Sequence, residues 1–367
     1  MALPNPATGG WSPVRVRDEF GLKLSSTERE TIRAKFPKSS SPEPGVFLAD
    51  GVFEGGGVLG LAFLGAARCC ADIGIRWMGL AGTSAGAITA SLMAAIPDID
   101  ELERLFGSVD FKDFIGEKSS PFIVDFDPTK DLDHPAHMLV KLLVAGRLGQ
   151  YSSAPFLNWI QNSLKDAGVS TFADVSVGNS ERQLKVVVSN LTRGQMLVLP
   201  DDLPEKERDS FPVAEAVRLS MSIPLFFEPG QLNGDCIVDG GILSNYPVWI
   251  FDEEDPLKEP RWPTFGFRLF NSREEKPLRI NTAPDILKGM FKTMMCAHDR
   301  HNLSRAKRTR TINVDVTMAG VSTTQFGLSD EHKDVLYRHG YESTKRYLLE
   351  EWSWEVQLES RGFANAS

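Results

Sequence analysis

The chain has 367 residues, 42% of them hydrophobic and 24% charged, which excludes a disordered or collagen-like polymer and suits one large α/β domain or two smaller ones. Its net charge of −9 argues against a nucleic-acid partner, because nothing offsets phosphate repulsion over most of the surface. Cys69 and Cys70 are adjacent while Cys236 and Cys296 stand alone, so neither a disulfide framework nor a zinc spacing is present. With no signal-peptide pattern at the start and no apolar run long enough to span a bilayer, a cytoplasmic chain with reduced thiols is expected.

Residues 1–45 read as an extension and linker. Ser25-x-x-Glu28 and Thr27-x-x-Glu30 both fit a capping box, and a short helix to about Phe36 would follow either. Residues 38–45 are rich in Ser and Pro, as in a connector. Val46–Ala49 is an apolar run fit for a buried strand, and Leu61–Ile73 has helix length and composition. Trp77–Ala81 makes a second strand and Ala85–Ile96 a second helix, giving a βαβα unit. Further on, Pro155–Ala167 is an amphipathic helix. Strands are predicted at Leu184–Ser189, Met196–Leu199, Cys236–Val238, Phe265–Phe270 and Thr311–Val316. Helices are predicted from Val213, over Ile286–Ser304 and over Glu331–Leu349. The sum is a three-layer α/β domain on a mostly parallel sheet.

Three constellations carry chemistry. Gly55-Gly56-Gly57-Val58-Leu59-Gly60 matches G-x-G-x-x-G between a strand and a helix. A dinucleotide site would need an acidic residue about twenty positions on, and none lies between Asp72 and Asp98. What remains is either a tight turn or a row of unshielded N–H groups at a helix start, where an anion is welcome. Gly82-Thr83-Ser84-Ala85-Gly86 sits between strand and helix, the setting of a nucleophile elbow, although a plain helix cap has the same appearance. Asp239-Gly240-Gly241 follows an apolar strand, whereas Asp50-Gly51 reads as an ordinary turn. A serine nucleophile needs a proton acceptor, either one of His298, His301, His332 and His339 or Asp239 itself.

These three motifs, in this order, resemble the patatin-like phospholipases. The flanks are similar too: Ala216–Phe227 before the aspartate, Asn245-Tyr246-Pro247 after it, and Gly320–Ser329, which is like the closing segment of bacterial members. The resemblance implies a three-layer α/β/α domain over residues 46–352 with a tail at 353–367. It implies a lipid acyl hydrolase with Ser84 as nucleophile, Asp239 as base, and Gly55, Gly56 and Gly57 around the oxyanion. Gly60, Gly82, Gly86, Gly240 and Gly241 would support the motifs, with no cofactor and no metal. The implied substrate is a phospholipid or other acyl ester, met by peripheral membrane contact. Leu59 departs from the family's usual Arg or Lys, which removes a positive charge from the oxyanion loop. The alternatives are a Ser-His-Asp esterase or thioesterase, and a catalytically weak lipid-binding regulatory module.

Weaker signals have plainer readings. His134-x-x-His137 and His298-x-x-His301 lack a third fixed metal ligand. The basic run Arg300, Arg305, Lys307, Arg308 and Arg310 reads as a solvated helix end, or as a contact for anionic lipid head groups. Leu139–Val144 and Met290–Met295 read as core, or as a cover for an acyl chain.

Overall fold

A computed structural model describes residues 10–117, 148–176, 181–253, 258–271 and 309–363, together with residues 255, 280, 281, 286, 289, 290, 293 and 294. Helices α1 (Pro13–Phe20) and α2 (Ser26–Arg33) open the chain. The βαβα unit follows as β1 (Phe47–Phe53), α3 (Ala62–Ile73), β2 (Ile75–Thr83) and α4 (Ala85–Ala95). Then come α5 (Ile99–Gly107), β3 (Gly149–Tyr151), α6 (Ala154–Asp166), β4 (Gln183–Asn190) and β5 (Gln195–Leu199). Helix α7 (Val213–Ser220) leads to β6 (Leu225–Phe227), β7 (Gly230–Leu232), β8 (Asp235–Asp239), β9 (Thr264–Phe270) and β10 (Thr311–Asp315). Helices α8 (Asp330–Arg346) and α9 (Trp354–Ser360) end it.

The central sheet runs β10-β9-β1-β2-β4-β8-β7, with β5 also on β4. It is parallel from β10 to β4 and antiparallel where β5, β7 and β8 join. Alternation along the strands divides the core. Phe53, Leu80, Val186 and Val188 face a large cluster that includes α3, α4 and α8. Val52, Ala81, Val187 and Val198 face the other way, under Trp249, Ile250 and Phe251. Among the described residues, no helix is long and apolar enough to cross a membrane.

Three expectations change. Asp50-Gly51 is no turn: it lies inside β1, at a register shift between Ala49 and Gly51. There the buried Asp50 carboxylate accepts the Gly79 N–H at 2.7 Å, and burial pushes the carboxyl up to about 7. Second, residues 10–45 are built into the core. The Ser25–Glu28 capping box forms, but α2 stops at Arg33. Trp11, Val16, Ile32 and Phe36 are buried; the Trp11 indole N–H donates to Asp334 at 2.7 Å, and Phe36 packs on Phe47 and Trp352. Within the expected linker, Ser40 is fully buried and donates to the Pro37 carbonyl. Third, the expected tail also packs, with Trp354 buried and Ser360 bonded to Thr309.

Candidate active site

Strand β2 ends with Thr83 opposite Val187 of β4, and β8, running the other way, ends with Asp239 opposite Val188. Because β5 holds the far edge of β4, both strands lie along the same edge and meet head to head. Ser84, the first residue after β2, and Asp239, the last of β8, are 155 positions apart in sequence and are therefore brought to one junction. Gly240 permits the junction, since a Cβ there would stand 2.2 Å from the Val187 carbonyl oxygen.

Ser84 has φ 54° and ψ −121°, a conformation serine rarely adopts, and it leads directly into α4. A side chain at Gly86 would meet the Phe53 carbonyl oxygen at 2.1 Å, so the glycine lets α4 sit against the end of β1. The Ser84 N–H donates to Ser220 Oγ at 2.9 Å, and that hydroxyl donates onward to the Val187 carbonyl at 2.6 Å. Both Ser84 and Asp239 are buried to 6% exposure.

Asp239 is held from two sides. Its N–H donates to the Ser222 carbonyl at 2.9 Å, and its Oδ1 accepts the Gly241 N–H at 2.7 Å. Burial raises the carboxyl to about 6, against the pull of hydrogen bonds from the Ser84 hydroxyl and from Gly241, which favour the charged form. A carboxylate with raised proton affinity, bonded to a strained serine hydroxyl, is chemically a base beside a nucleophile.

The glycine loop sits over the same junction. The Gly55 N–H is committed to the Asn245 carbonyl at 3.0 Å, and Asn245 Nδ2 returns a bond to the Gly55 carbonyl at 3.1 Å. Gly55 thus lacks the free donor expected of it. Among the described residues no hydrogen bond uses the N–H of Gly56, Gly57 or Ala85. Gly57 has φ +55°, and a Cβ there would lie 1.9 Å from the Thr323 carbonyl oxygen, which accepts the Val58 N–H at 2.9 Å. Residues of the 320–329 segment therefore prop the loop. Leu59 is 3% exposed and belongs to the core, so the uncharged position faces away from solvent.

Gly57, Ser84 and Ala85 open on an apolar cavity of about 50 Å³, walled by Phe111, Phe114, Trp159, Met221, Phe227 and Phe326. Other expected residues lie elsewhere. His332 closes the Ser329 capping box, and His339 Nδ1 pairs with the Asp315 carbonyl at 2.8 Å, so the partners of both are outside the site. Arg310 is 1% exposed and clamps Asp252 with bonds of 2.6 and 2.8 Å, which removes it from any solvated or lipid-facing cluster. Met290 and Met294, read as core, are exposed. His134, His137, His298, His301, Arg300, Arg305, Lys307, Arg308 and the 139–144 run fall outside the described residues. No group of three or more His, Cys, Asp or Glu side chains suited to a metal occurs among the described residues. Ser220, Ser222 and Asn245 are site residues that motif reading did not single out; only their places in the flanking segments pointed toward them.

A family model described as patatin-like phospholipase matches residues 51–252, which contain the loop, the elbow and Asp239. The chain belongs to the patatin-like phospholipase family. It is 38% identical over 314 residues to the uncharacterized protein YqhO of Bacillus subtilis, covering 83% of this chain and 99% of that one. It is 23% identical to the uncharacterized protein R571 of Acanthamoeba polyphaga mimivirus, covering 81% and 92%. Among solved structures it is similar to VipD from Legionella pneumophila, with a TM-score of 0.50 at 18% identity over 84% of this chain and 67% of VipD. ExoU of the Pseudomonas aeruginosa type III secretion system, in its complex with SpcU, aligns at a TM-score of 0.39 and 17% identity, over 82% and 53%. The VipD likeness is one of fold, and it agrees with the mostly parallel, helix-flanked sheet. In this patatin-like chain the family match runs from within β1 to the segment after β8, while Thr323 and Phe326, which border the same site, lie beyond it.

Proposed function

We propose that this patatin-like chain is a lipid acyl hydrolase working through a Ser84–Asp239 dyad. The observation that carries the reading is the head-to-head meeting of β2 and β8, which sets a strained serine hydroxyl on a buried carboxylate beside an apolar cavity. Asp239 takes the hydroxyl proton as Ser84 Oγ bonds to the ester carbonyl carbon. The N–H groups of Gly57 and Ala85, with Gly56 beside them, receive the oxyanion. Collapse breaks the acyl–oxygen bond, and the leaving alkoxide takes the proton back from Asp239. Water then repeats the cycle, with Asp239 again the base, and releases the fatty acid and free Ser84. Backbone donors at a helix start need no charged side chain, so Leu59 does not disqualify the loop. Gly55 acts only by shaping it, through Asn245.

The apolar cavity wall supports an acyl ester as substrate, as a phospholipid or lysophospholipid would supply. The test is fatty-acid release from mixed phospholipid vesicles by the native chain, Ser84→Ala and Asp239→Asn. Release by the native chain and loss of at least about a thousandfold in both variants is the expected outcome. Activity that survives in Ser84→Ala overturns the reading. A native chain that binds vesicles and releases nothing favours a lipid-binding role.

A further inference from the structure

The segment Ser220-Met221-Ser222 touches both members of the dyad and the cavity. Ser220 Oγ accepts the Ser84 N–H at 2.9 Å and donates to the Val187 carbonyl at 2.6 Å. Two residues on, the Ser222 carbonyl accepts the Asp239 N–H at 2.9 Å. Between them, Met221 walls the cavity. Ser220 is fully buried and ends α7, so its hydroxyl has a fixed origin.

We propose that Ser220 is a positioning residue that holds the Ser84 elbow in its strained conformation and, with the Ser222 backbone, sets the separation of nucleophile and base. The inference rests on the dyad reading and deepens it. Three features point the same way. The Ser84 N–H belongs to a residue at φ 54°, outside the regular ladder of β2, so it has no strand partner and needs one from elsewhere. A hydroxyl suits that place because it accepts and donates at once, tying the elbow to β4 at Val187, the residue opposite Thr83. The second tie, at Asp239, leaves from the same tripeptide, so a displacement of this segment moves both reacting groups together. Substrate does not touch Ser220; its effect passes through the geometry of Ser84.

The test reads Ser84 directly. An alkyl fluorophosphonate reacts by forming an Oγ–P bond and expelling fluoride while Asp239 takes the hydroxyl proton, so its labelling rate reports nucleophile and base together. In Ser220→Ala the Ser84 N–H loses its acceptor, and labelling slows by at least about tenfold, since small misplacements are costly in such sites. The fatty-acid release assay shows the same fall in kcat with KM within about twofold. The acid limb of the labelling rate moves to higher pH, because a displaced Ser84 hydroxyl no longer favours the charged form of Asp239; a purely structural loss leaves that limb in place. Ser220→Cys keeps the shape with a weaker acceptor, falls between, and covers the case in which the alanine variant does not fold. Ser40→Ala, which removes an equally buried hydroxyl bonded to the Pro37 carbonyl, labels as the native chain does.

Native labelling rate and pH limb in a folded Ser220→Ala overturn the positioning role and leave the dyad standing, provided Ser84→Ala does not label. Failure of the native chain both to label and to release fatty acid overturns the dyad, and the positioning role with it.

Discussion

At the scale of single residues, the proposed chemistry turns on one carboxyl whose surroundings oppose its charge. Asp239 is buried, and its raised affinity for a proton, to about 6, is what makes a lone carboxylate serviceable as a base near neutral pH. An ordinary carboxylate would be ionised but too weak a base to draw a serine proton. The same raised affinity sets a limit. Below about pH 6 the group carries its own proton and cannot accept another, so kcat/KM in the fatty-acid release assay should fall about tenfold for each step of one in pH on the acid side. A flat profile down to about pH 4.5 in the native chain is the outcome that counts against Asp239 as the base. Ser84 contributes the complementary strain. Its φ of 54° is held by close contacts on both sides, Gly86 against Phe53 and Gly240 against Val187, so that the proposed nucleophile and base are ordered before any substrate arrives. Leu59 shows the other use of burial: it occupies a position in the loop where a charge would have to leave the core to be useful.

At the scale of elements, the N-terminal helices matter more than their composition suggests. Ile32 of α2 is fully buried, Phe36 packs at a tilt against both Phe47 and Trp352, and Arg17 of α1 lies 3.5 Å from the buried Glu103, which also pairs with Arg68. A detachable extension would tolerate change at these positions. A packed one does not, and Ile32→Ala should cost about 2 to 4 kcal/mol in urea unfolding with the m-value unchanged. A loss within about 0.5 kcal/mol would mean that α2 is not held to the core. The βαβα unit and the later strands were legible because each is an apolar run with a clear stop, and their ends fall within a few residues of those expected. The order of the three motifs pointed to the candidate site for the same reason, since each glycine marks a close approach that backbone sterics impose. What sequence pattern hid was of two kinds. Asp50-Gly51 looks like a turn because that pair is a common turn signal, and the Gly79 N–H, the Trp262 side chain and the register shift make it fit inside a strand. Residues 1–45 look like an extension ending in a linker over 38–45, because their apolar residues are sparse; those buried from Trp11 on each reach a different part of the core. The three-residue strands β3, β6 and β7 are too short to carry a period at all. The commitment of the Gly55 N–H to Asn245 depends on a partner 190 residues away, which no local pattern encodes.

At the scale of the whole molecule, two carboxyls buried in different parts of one sheet couple folding to pH. Asp239 stands at the end of β8 with its carboxyl raised to about 6, and Asp50 lies within β1 with its own raised to about 7. In both, burial is the leading cause, so in both the folded state binds a proton more tightly than the unfolded chain does. Such a group favours folding fully while protonated in both states, below about pH 4. That contribution is then lost as pH rises, through about 6 for Asp239 and about 7 for Asp50. At roughly 1.4 kcal/mol for each tenfold change in proton affinity, the loss is on the order of 3 kcal/mol for Asp239 and on the order of 4 kcal/mol for Asp50. Asparagine at either position removes the titration, although it also alters hydrogen bonds by an amount independent of pH. The informative quantity is therefore the change in the difference from the native chain. Measured by urea unfolding, Asp239→Asn should gain about 2 to 3 kcal/mol and Asp50→Asn about 4 kcal/mol relative to the native chain between about pH 4 and pH 8, whatever their offset at the acid end. The two gains should add, because the groups share no hydrogen-bond partner. For Asp239 that pH-dependent gain accompanies loss of hydrolysis, as expected where a fold carries an ill-solvated charge for its chemistry. For Asp50 the gain should leave fatty-acid release unchanged, since its bonds go to Gly79 and Trp262 and not to Ser84, Asp239 or the glycine loop. A difference from native that stays constant over that pH range would show that neither carboxyl is perturbed, and would remove the physical basis for Asp239 as a base.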